Sequence, residues 1–463
     1  MSKPEKSRSR TVFVCQQCGR ESLKWLGRCP DCQQWNSFVE TVIAPVSPSR
    51  PLTPVNPPQE LSQVVTPTAD RSPLPLAELN RVLGGGLVSG SLVLISGEPG
   101  IGKSTLLLQA AAAAKDQGKV VYISGEETLH QTRLRAERLG IKGEGLYLLA
   151  ETNLEIILDQ LEPLSPGLVV IDSIQTIYLP EIAATPGSIT QVRESTLRLM
   201  HWTKHHAVPV FIAGHVTKDG TIAGPRILEH IVDVVLYLEG EPFSAYRLLR
   251  SVKNRFGSTN EVGIFEMKEN GLIEVDNPSR AFLSQRWGEA MGSAVVPTLE
   301  GSRPLLVEIQ ALTTLTSFGL PRRTANGVDF NRLLLVTAVL TKRVGLRLGN
   351  QDIIVNVTGG LRIGEPAADL GIALAITSSF RDTAIDPGLA AVGEVGLSGE
   401  LRATSQLERR VAEVTRLGFK RCLVPKVGVV ISPSKDIKLI PASTLREAIN
   451  AGLVNAKPGA SKN

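Results

Sequence analysis

The segment from Gly97 to Thr105 carries the residue types that bind the phosphates of a nucleotide. It matches the pattern G-x-x-x-x-G-K-[ST] without a mismatch and consists of Gly97, Glu98, Pro99, Gly100, Ile101, Gly102, Lys103, Ser104 and Thr105. Its glycines allow backbone N–H groups to turn toward phosphate oxygens, and Lys103 can reach the outer phosphates. The hydroxyl of Ser104 is placed to bind Mg²⁺. The pattern predicts a phosphate-binding loop for ATP and Mg²⁺, and a glycine-rich turn before a helix is the weaker alternative.

Carboxylates follow two apolar runs that have the length of buried strands. Glu126 and Glu127 come after residues 119–124, and Asp172 comes directly after residues 168–171. Because parallel strands end at one edge of a sheet, these side chains are expected near the phosphates. We predict that Glu126 or Glu127 activates the attacking water, with Glu126 favoured because it is nearer the strand. The alternative is a carboxylate that merely stabilises a helix N-terminus.

Asp172 fits the Walker B pattern of a hydrophobic run that ends in aspartate, and we predict that it holds Mg²⁺ through the water shell of the ion. A third apolar run, residues 209–213, leads into a glycine-containing segment that begins at Gly214 and His215. A polar residue at this place can sense the terminal phosphate, and the segment after it can move with the nucleotide.

Two cations, Lys253 and Arg255, stand at the end of an alternating strand that runs to Val252, in the pentapeptide Lys253–Gly257. They are either surface charges or groups that project into the nucleotide site of a neighbouring subunit. In the second case Arg255 would offset the charge of the phosphoryl group in the transition state. Composition alone favours the surface interpretation.

Two C-x₂-C pairs near the N-terminus have the spacing of a metal site. They are formed by Cys15, Cys18, Cys29 and Cys32, with ten residues between the pairs. Thiolates on two tight turns favour tetrahedral Zn²⁺ over two disulfides or a redox pair. Trp25 and Trp35 are expected to pack over this cluster, with stacking on a nucleic-acid base as the alternative. The fifth cysteine, Cys422, lies in an apolar run and is expected to be buried.

Composition indicates a globular chain of several domains. Of the 463 residues, 42% are hydrophobic and 21% charged, and no apolar run reaches the length of a membrane span. The polar, basic N-terminus does not have the pattern of a secretory signal, so a cytoplasmic location is expected. The net charge of +5 permits a polyanionic partner without demonstrating one.

The pattern of elements divides the chain into five segments. They are a zinc module (residues 1–40), a proline-rich linker (41–75), an ATPase-like domain (76–275), an α+β domain (285–455) and a tail (456–463). Strands that alternate with helices in the ATPase-like domain predict an α/β fold with a doubly wound parallel sheet and antiparallel strands at its far edge.

In their order and spacing, the four cysteines, the phosphate loop, Asp172 and above all the pentapeptide Lys253–Gly257 resemble the RadA (Sms) family of bacterial DNA repair proteins, relatives of RecA. The resemblance spans nearly the whole chain. It implies a RecA-like ATPase core, a homo-hexameric ring, binding to single-stranded and branched DNA, and work alongside a recombinase. It also implies that Lys253 and Arg255 take part in catalysis and in work on DNA. Lys218 and Arg226, on the segment after His215, are then expected to meet DNA in the pore of the ring.

The α+β domain resembles the proteolytic domain of the Lon family, which uses a serine and a lysine. When the prolines are aligned at Pro366, Ala367 stands where the serine belongs, and Glu408 stands where the lysine belongs. A methyl group and a carboxylate cannot replace a hydroxyl activated by an amine, so peptidase activity is not expected. Basic residues of this domain are candidates for a surface that follows phosphates: Arg322, Arg323, Arg332, Lys342, Arg343, Arg347, Arg409 and Arg410.

The sequence therefore leads to a DNA-dependent, helicase-like ATPase that drives branch migration or moves along single-stranded DNA. Two alternatives belong to other classes of protein. One is an ATP-dependent protease of the Lon type, and the other is a RecA-like signalling ATPase that binds protein instead of DNA.

Overall fold

A computed structural model describes residues 10–15, 17–43, 60, 62, 71–215, 225–240, 244–284, 286–287, 290–317, 319–426 and 436–454. The chain forms two compact units, residues 1–239 with 247–274, and residues 240–246 with 275–463. Most of the predicted linker and the predicted tail lie outside the described residues. No helix in the described part of the chain is long and apolar enough to cross a membrane.

The N-terminal module is a small antiparallel sheet. Its strands are β1 (Arg10–Cys15), β2 (Glu21–Ser22) and β3 (Phe38–Ile43), in the order β2-β1-β3. The cysteine pairs lie at the end of β1 and in the connection between β2 and β3. A short pair of strands, β4 (Arg71–Ser72) and β5 (Leu87–Val88), stands before the ATPase-like sheet.

The ATPase-like sheet has nine strands in the described residues. They are β6 (Leu92–Gly97), β7 (Val120–Ser124), β8 (Leu146–Leu149), β9 (Leu168–Asp172), β10 (Val210–His215), β11 (Val234–Glu239), β12 (Tyr246–Asn254), β13 (Val262–Lys268) and β14 (Gly271–Glu274). Their order is β14-β13-β12-β11-β6-β10-β9-β7-β8. The stretch from β11 to β8 is parallel, while β12 pairs antiparallel with β11, and β14 antiparallel with β13. This confirms the expected parallel sheet with antiparallel strands at one edge.

Helices cover this sheet because its central strands are apolar on both faces. The helices are α1 (Ala77–Leu83), α2 (Lys103–Ala113), α3 (Leu129–Arg138), α4 (Leu154–Leu164), α5 (Ile189–His206) and α6 (Pro225–Ile231). Val93 and Ile95 of β6 join one buried cluster with α2, whereas Leu92 and Leu94 join a second cluster with α4 and α5. The alternation follows from the two-residue period of a strand, which turns successive side chains to opposite faces of the sheet.

The second unit is a mixed sheet with helices. Its elements are α7 (Pro278–Leu283), β15 (Ser293–Glu300), β16 (Arg303–Leu315), β17 (Arg323–Asn326), α8 (Phe330–Val339), β18 (Gln351–Val357), α9 (Asp369–Phe380), β19 (Leu389–Ala391), β20 (Glu394–Val395), β21 (Leu401–Arg402), α10 (Leu407–Arg416), β22 (Arg421–Pro425), β23 (Lys438–Ala442) and α11 (Leu445–Gly452). Seven of the strands form one sheet in the order β17-β18-β16-β15-β19-β22-β23. Helix α9 packs closely on this sheet, since a Cβ at Gly371 would lie 2.1 Å from Cγ2 of Val296.

Candidate nucleotide site and metal centre

The phosphate loop joins the end of β6 to the start of α2. Gly97 and Gly102 have φ values of 156° and 116°, which favour glycine. A side chain at Gly97 would place its Cβ 2.4 Å from the carbonyl oxygen of Leu238, so the loop can take only glycine there. No side chain caps the N-terminus of α2, and its first backbone N–H groups can therefore receive anionic oxygens.

Lys103 is held at the base of this loop. Its Nζ donates hydrogen bonds to the carbonyl oxygens of Gly97 and Glu98, each at 2.9 Å, and the residue is only 4% exposed. Burial lowers the pKa of Lys103 to about 8, although the nearby charges of Asp172 and Glu126 act in the opposite direction. Phosphate oxygens would supply the anionic partner that a buried ammonium needs.

The two candidate bases have different partners. Glu126 accepts a hydrogen bond from the hydroxyl of Ser173 at 2.5 Å, and its Oε1 lies 3.2 Å from Nε2 of His215. Glu127 forms an ion pair with Arg135 of α3. Because Arg135 occupies Oε1 of Glu127, whereas Glu126 contacts a hydroxyl and an imidazole, this geometry favours Glu126 as the base. The helix-terminus alternative remains open for Glu127, which directly precedes the N-cap residue of α3, Thr128.

Asp172 ends β9 next to β7, with Ser124 as its partner in the register of the two strands. It is 8% exposed, and its Oδ2 accepts the hydroxyl of Tyr122 at 2.6 Å. Ser104 and Asp172 offer the hard oxygen ligands that Mg²⁺ prefers, near an uncapped helix terminus that suits phosphates. The residues therefore fit a magnesium–nucleotide complex.

Sequence reasoning missed Tyr122 and Arg135 as parts of this site. One signal was available, because a tyrosine in an otherwise aliphatic buried strand must find a partner for its hydroxyl. Arg135 carries no such signal, since arginines on helices are usually solvated.

Lys253 and Arg255 are engaged within the chain. Nζ of Lys253 donates to the carbonyl oxygens of Glu229 and Val232, at 2.5 and 2.8 Å, and so ties the end of β12 to the C-terminal end of α6. Arg255 is more exposed, with 52% of its side chain accessible, and its Nη1 lies 3.2 Å from Oδ1 of Asp233. Burial, and then the charge of Arg255, lower the pKa of Lys253.

The two predicted pore residues cannot be placed. Lys218 lies outside the described residues. The backbone of Arg226 belongs to α6, but its side chain also lies outside them. Both stay predictions.

The four N-terminal cysteines converge as a metal centre requires. Their Sγ atoms all lie within 4.8 Å of one another, with Cys15 and Cys32 3.6 Å apart and Cys18 and Cys29 3.5 Å apart. Four thiolates about 2.3 Å from a tetrahedral Zn²⁺ have comparable separations. Burial opposes ionisation of Cys15, but hydrogen bonds with Ser37 and the backbone lower its pKa to about 6, whereas burial raises the pKa of Cys18 to about 12.

The expected packing of two tryptophans over the cysteines is wrong. Trp25 is 53% exposed and Trp35 is 68% exposed, whereas Phe13, Leu26 and Phe38 surround the cluster. Gly27 separates the two indole rings, and the guanidinium of Arg28 lies 5.7 Å from the ring centroid of Trp35. The indoles are therefore exposed, with Nε1 of Trp25 donating to the carbonyl oxygen of Phe38 at 3.2 Å, while phenylalanine and leucine side chains pack against the cysteines.

Comparison with known proteins is consistent with each of these modules. Residues 13–40 match the family described as "Rubredoxin metal binding domain", residues 56–221 match "AAA domain", and residues 308–428 match "Subunit ChlI of Mg-chelatase". The "DNA repair protein RadA" of Halalkalibacterium halodurans is 52% identical over 96% of this chain and 99% of its own length. The protein of the same name from Bacillus subtilis is 51% identical, with the same coverage. The chain belongs to the RadA family.

A KaiC-like protein of Pyrococcus horikoshii superposes with a TM-score of 0.38 and 21% identity, covering 45% of this chain and 99% of its own. The RadA relatives align along nearly the whole chain. The predicted family is therefore confirmed, together with its α/β fold: a RecA-like ATPase core between a zinc ribbon and a Lon-like domain.

In this RadA-family chain the Lon-like domain lacks a nucleophile at the aligned position. Ala367 is 3% exposed and packs in an apolar cluster with Val295, Leu306 and Val392. Glu408 lies on the exposed side of α10. Neither position offers a hydroxyl or an amine to a substrate. Cys422 is buried in the same cluster, as expected, and burial raises its pKa to about 12.

Two of the arginines that were predicted to form a basic surface on the Lon-like domain of this RadA-family chain form ion pairs inside the domain instead. Arg410 is fully buried and forms a two-point ion pair with Glu365, at 2.5 and 2.7 Å. Arg332 forms an ion pair with the buried Asp369. These two arginines neutralise carboxylates of their own domain, and Arg410, being fully buried, is unavailable to DNA.

Proposed function

We propose that this protein hydrolyses ATP and uses the energy in DNA repair, on single-stranded and branched DNA. The observation that carries this is the convergence of Lys103, Asp172 and Glu126 at the carboxyl ends of three strands, β6, β9 and β7, beside a phosphate-binding loop. The name of the RadA relatives supports the repair context.

The side chains have separate parts in this reaction. Backbone N–H groups of the loop and Nζ of Lys103 hold the outer phosphates and offset their negative charge. Glu126, aimed by Ser173 and His215, accepts the proton of the attacking water. Mg²⁺, when bound between Ser104 and Asp172, would neutralise charge that develops on the phosphates.

We further propose that the enzyme acts as a homo-hexameric ring, with Arg255 entering the nucleotide site of the adjacent subunit. Asp233 supports this, because it also accepts a bond from Lys204 at 2.6 Å and from the backbone N–H of Leu92 at 3.1 Å. Asp233 therefore stays paired when Arg255 leaves. Lys218 and Arg226 are assigned to DNA in the pore, and a recombinase is the expected partner.

The test is ATP turnover with and without single-stranded DNA at two salt concentrations. We expect DNA to raise turnover and the stimulation to weaken steeply with salt, because phosphate contacts release counterions. Lys103→Ala should reduce turnover by at least about 100-fold. Lys115→Ala is the matched control, since Lys115 is exposed beyond the end of α2 and far along the chain from the loop.

Each alternative function predicts a different experimental result. Turnover that ignores DNA at every salt concentration would favour a signalling ATPase. Degradation of an unfolded protein substrate that requires ATP would favour the Lon-type protease, against the buried Ala367 and the exposed Glu408. Full turnover in Lys103→Ala would refute the catalytic site itself.

A further inference from the structure

Two side chains that do not belong to the phosphate loop converge on one oxygen of Asp172. The hydroxyl of Tyr122 donates to Oδ2 at 2.6 Å, and Nη1 of Arg135 lies 3.9 Å from the same oxygen. Tyr122 comes from the adjacent strand β7, and Arg135 comes from helix α3. Strand register explains the first contact, because Tyr122 pairs with Val170 and Asp172 is the next residue on the same face of the sheet.

Both groups are suited to hold a carboxylate in one orientation. Tyr122 is 1% exposed, and a buried phenol keeps its hydrogen-bond partner because losing it leaves an unsatisfied donor.

Arg135 adds the positive charge to this arrangement. Its Nη2 bonds Glu127, while its Nη1 is buried and has no hydrogen-bond partner among the described residues. An unpartnered donor beside a carboxylate stabilises the negative charge without covering the oxygen. Both contacts are on Oδ2, and among the described residues no hydrogen bond to the other oxygen, Oδ1, is present.

We propose that Tyr122 and Arg135 are positioning residues that fix the side chain of Asp172, so that Oδ1 accepts hydrogen bonds from the water shell of the magnesium ion. This rests on the proposed function, in which Asp172 serves the magnesium–nucleotide complex. In this arrangement Tyr122 and Arg135 increase the affinity for Mg²⁺, whereas Glu126 and Lys103 act in the chemical step.

The experiment measures the binding of a fluorescent ATP analogue as Mg²⁺ is titrated. Tyr122→Phe removes only the hydroxyl, and we expect the half-saturating Mg²⁺ concentration to rise about 10-fold, as for other groups that orient metal ligands. The increase in the Mg²⁺ requirement should exceed any decrease in turnover at saturating Mg²⁺. Arg135→Gln should raise the Mg²⁺ requirement similarly, and Arg135→Lys should restore part of it because the charge is kept.

The matched control is Tyr147→Phe. Tyr147 lies in the neighbouring strand β8 and is 43% exposed, so removing its hydroxyl should leave the Mg²⁺ requirement unchanged. An unchanged Mg²⁺ requirement in Tyr122→Phe overturns the inference. So does a loss of nucleotide affinity that is equally large without Mg²⁺, because that result indicates a merely structural role.

Asp172→Asn separates this inference from the function on which it rests. If Asp172→Asn raises the Mg²⁺ requirement and Tyr122→Phe does not, only the positioning role fails. If Asp172→Asn also leaves the requirement unchanged, the assignment of Asp172 to magnesium fails with it.

Discussion

Glu126 and Glu127 are adjacent in the sequence but have different partners. The charge of Glu127 is paired with Arg135, so we propose that Glu126 is the proton acceptor. We expect Glu126→Gln to lower single-turnover hydrolysis by at least about 100-fold while nucleotide binding is kept, because an amide cannot accept the proton of water. Glu127→Gln, which only releases Arg135, should stay within about 10-fold of the parent. The reverse order of the two effects would move the base to Glu127.

Lys103 gives the nucleotide site a dependence on pH. Its pKa is about 8 in the free protein, and bound phosphates favour the charged form and raise that pKa. At about pH 8.5 nucleotide binding should therefore take up as much as about three-quarters of a proton, and affinity should fall as pH rises further.

Calorimetry in buffers of different ionisation enthalpy measures this uptake. Lys115→Ala should keep it, and Lys103→Arg should lose it because a guanidinium stays charged at these pH values. Equal proton uptake by the parent and Lys103→Arg would exclude Lys103 as the titrating group.

The sequence predicted the residues of this site that belong to local patterns. The phosphate loop and Asp172 are recognisable because each stands directly after an apolar strand. Tyr122 and Arg135 could not be predicted from the sequence, because their contacts with Asp172 depend on the register of β7 against β9 and on the packing of α3. The choice between Glu126 and Glu127 likewise depends on Ser173, His215 and Arg135, which come from three separate elements.

At the scale of elements, we expect the zinc module to depend on a bound metal ion for its stability. Its three short strands enclose a small apolar cluster around Cys15, Cys29 and Phe38, too little to offset the entropy of ordering the chain. Chelation should abolish hydrogen-exchange protection in residues 10–43 and leave the thermal transition of the ATPase-like sheet unchanged.

Zinc content tests the same element independently. Cys18→Ser should lose most of the bound metal, measured as about one Zn²⁺ per chain in the parent. Cys422→Ala is the matched control, since Cys422 is buried in the other unit. A protected module in the absence of metal would show that apolar packing alone suffices.

The predicted elements also explain why the charges of the Lon-like domain were misjudged. A helix such as α10 shows its apolar face in the sequence, but Arg410 occupies a buried position because Glu365, 45 residues earlier, lies opposite it. Buried ion pairs of this kind have no local pattern. Removing one partner leaves an uncompensated charge and costs about 3–5 kcal/mol.

At the scale of the whole molecule, two neighbouring subunits of the proposed ring would contribute residues to each nucleotide site. A head-to-tail interface places one neighbour beside each phosphate loop. Arg255 can reach that neighbour at small cost, because its ion pair with Asp233 is half exposed and Lys204 remains as a partner. The phosphate loop and Arg255 should therefore act together although they belong to different chains.

Mixing two inactive variants tests this directly. Lys103→Ala disables the phosphate loop but keeps Arg255, while Arg255→Ala keeps the loop, and each alone should turn over ATP near background. When the two are co-expressed in equal amounts, about a quarter of the neighbouring pairs combine an intact loop with an intact Arg255, so about a quarter of the parent activity should return. Particle masses measured in the same samples establish that both variants assemble. Assembled mixtures that stay inactive would confine Arg255 to its own subunit, where its contact with Asp233 would then be purely structural.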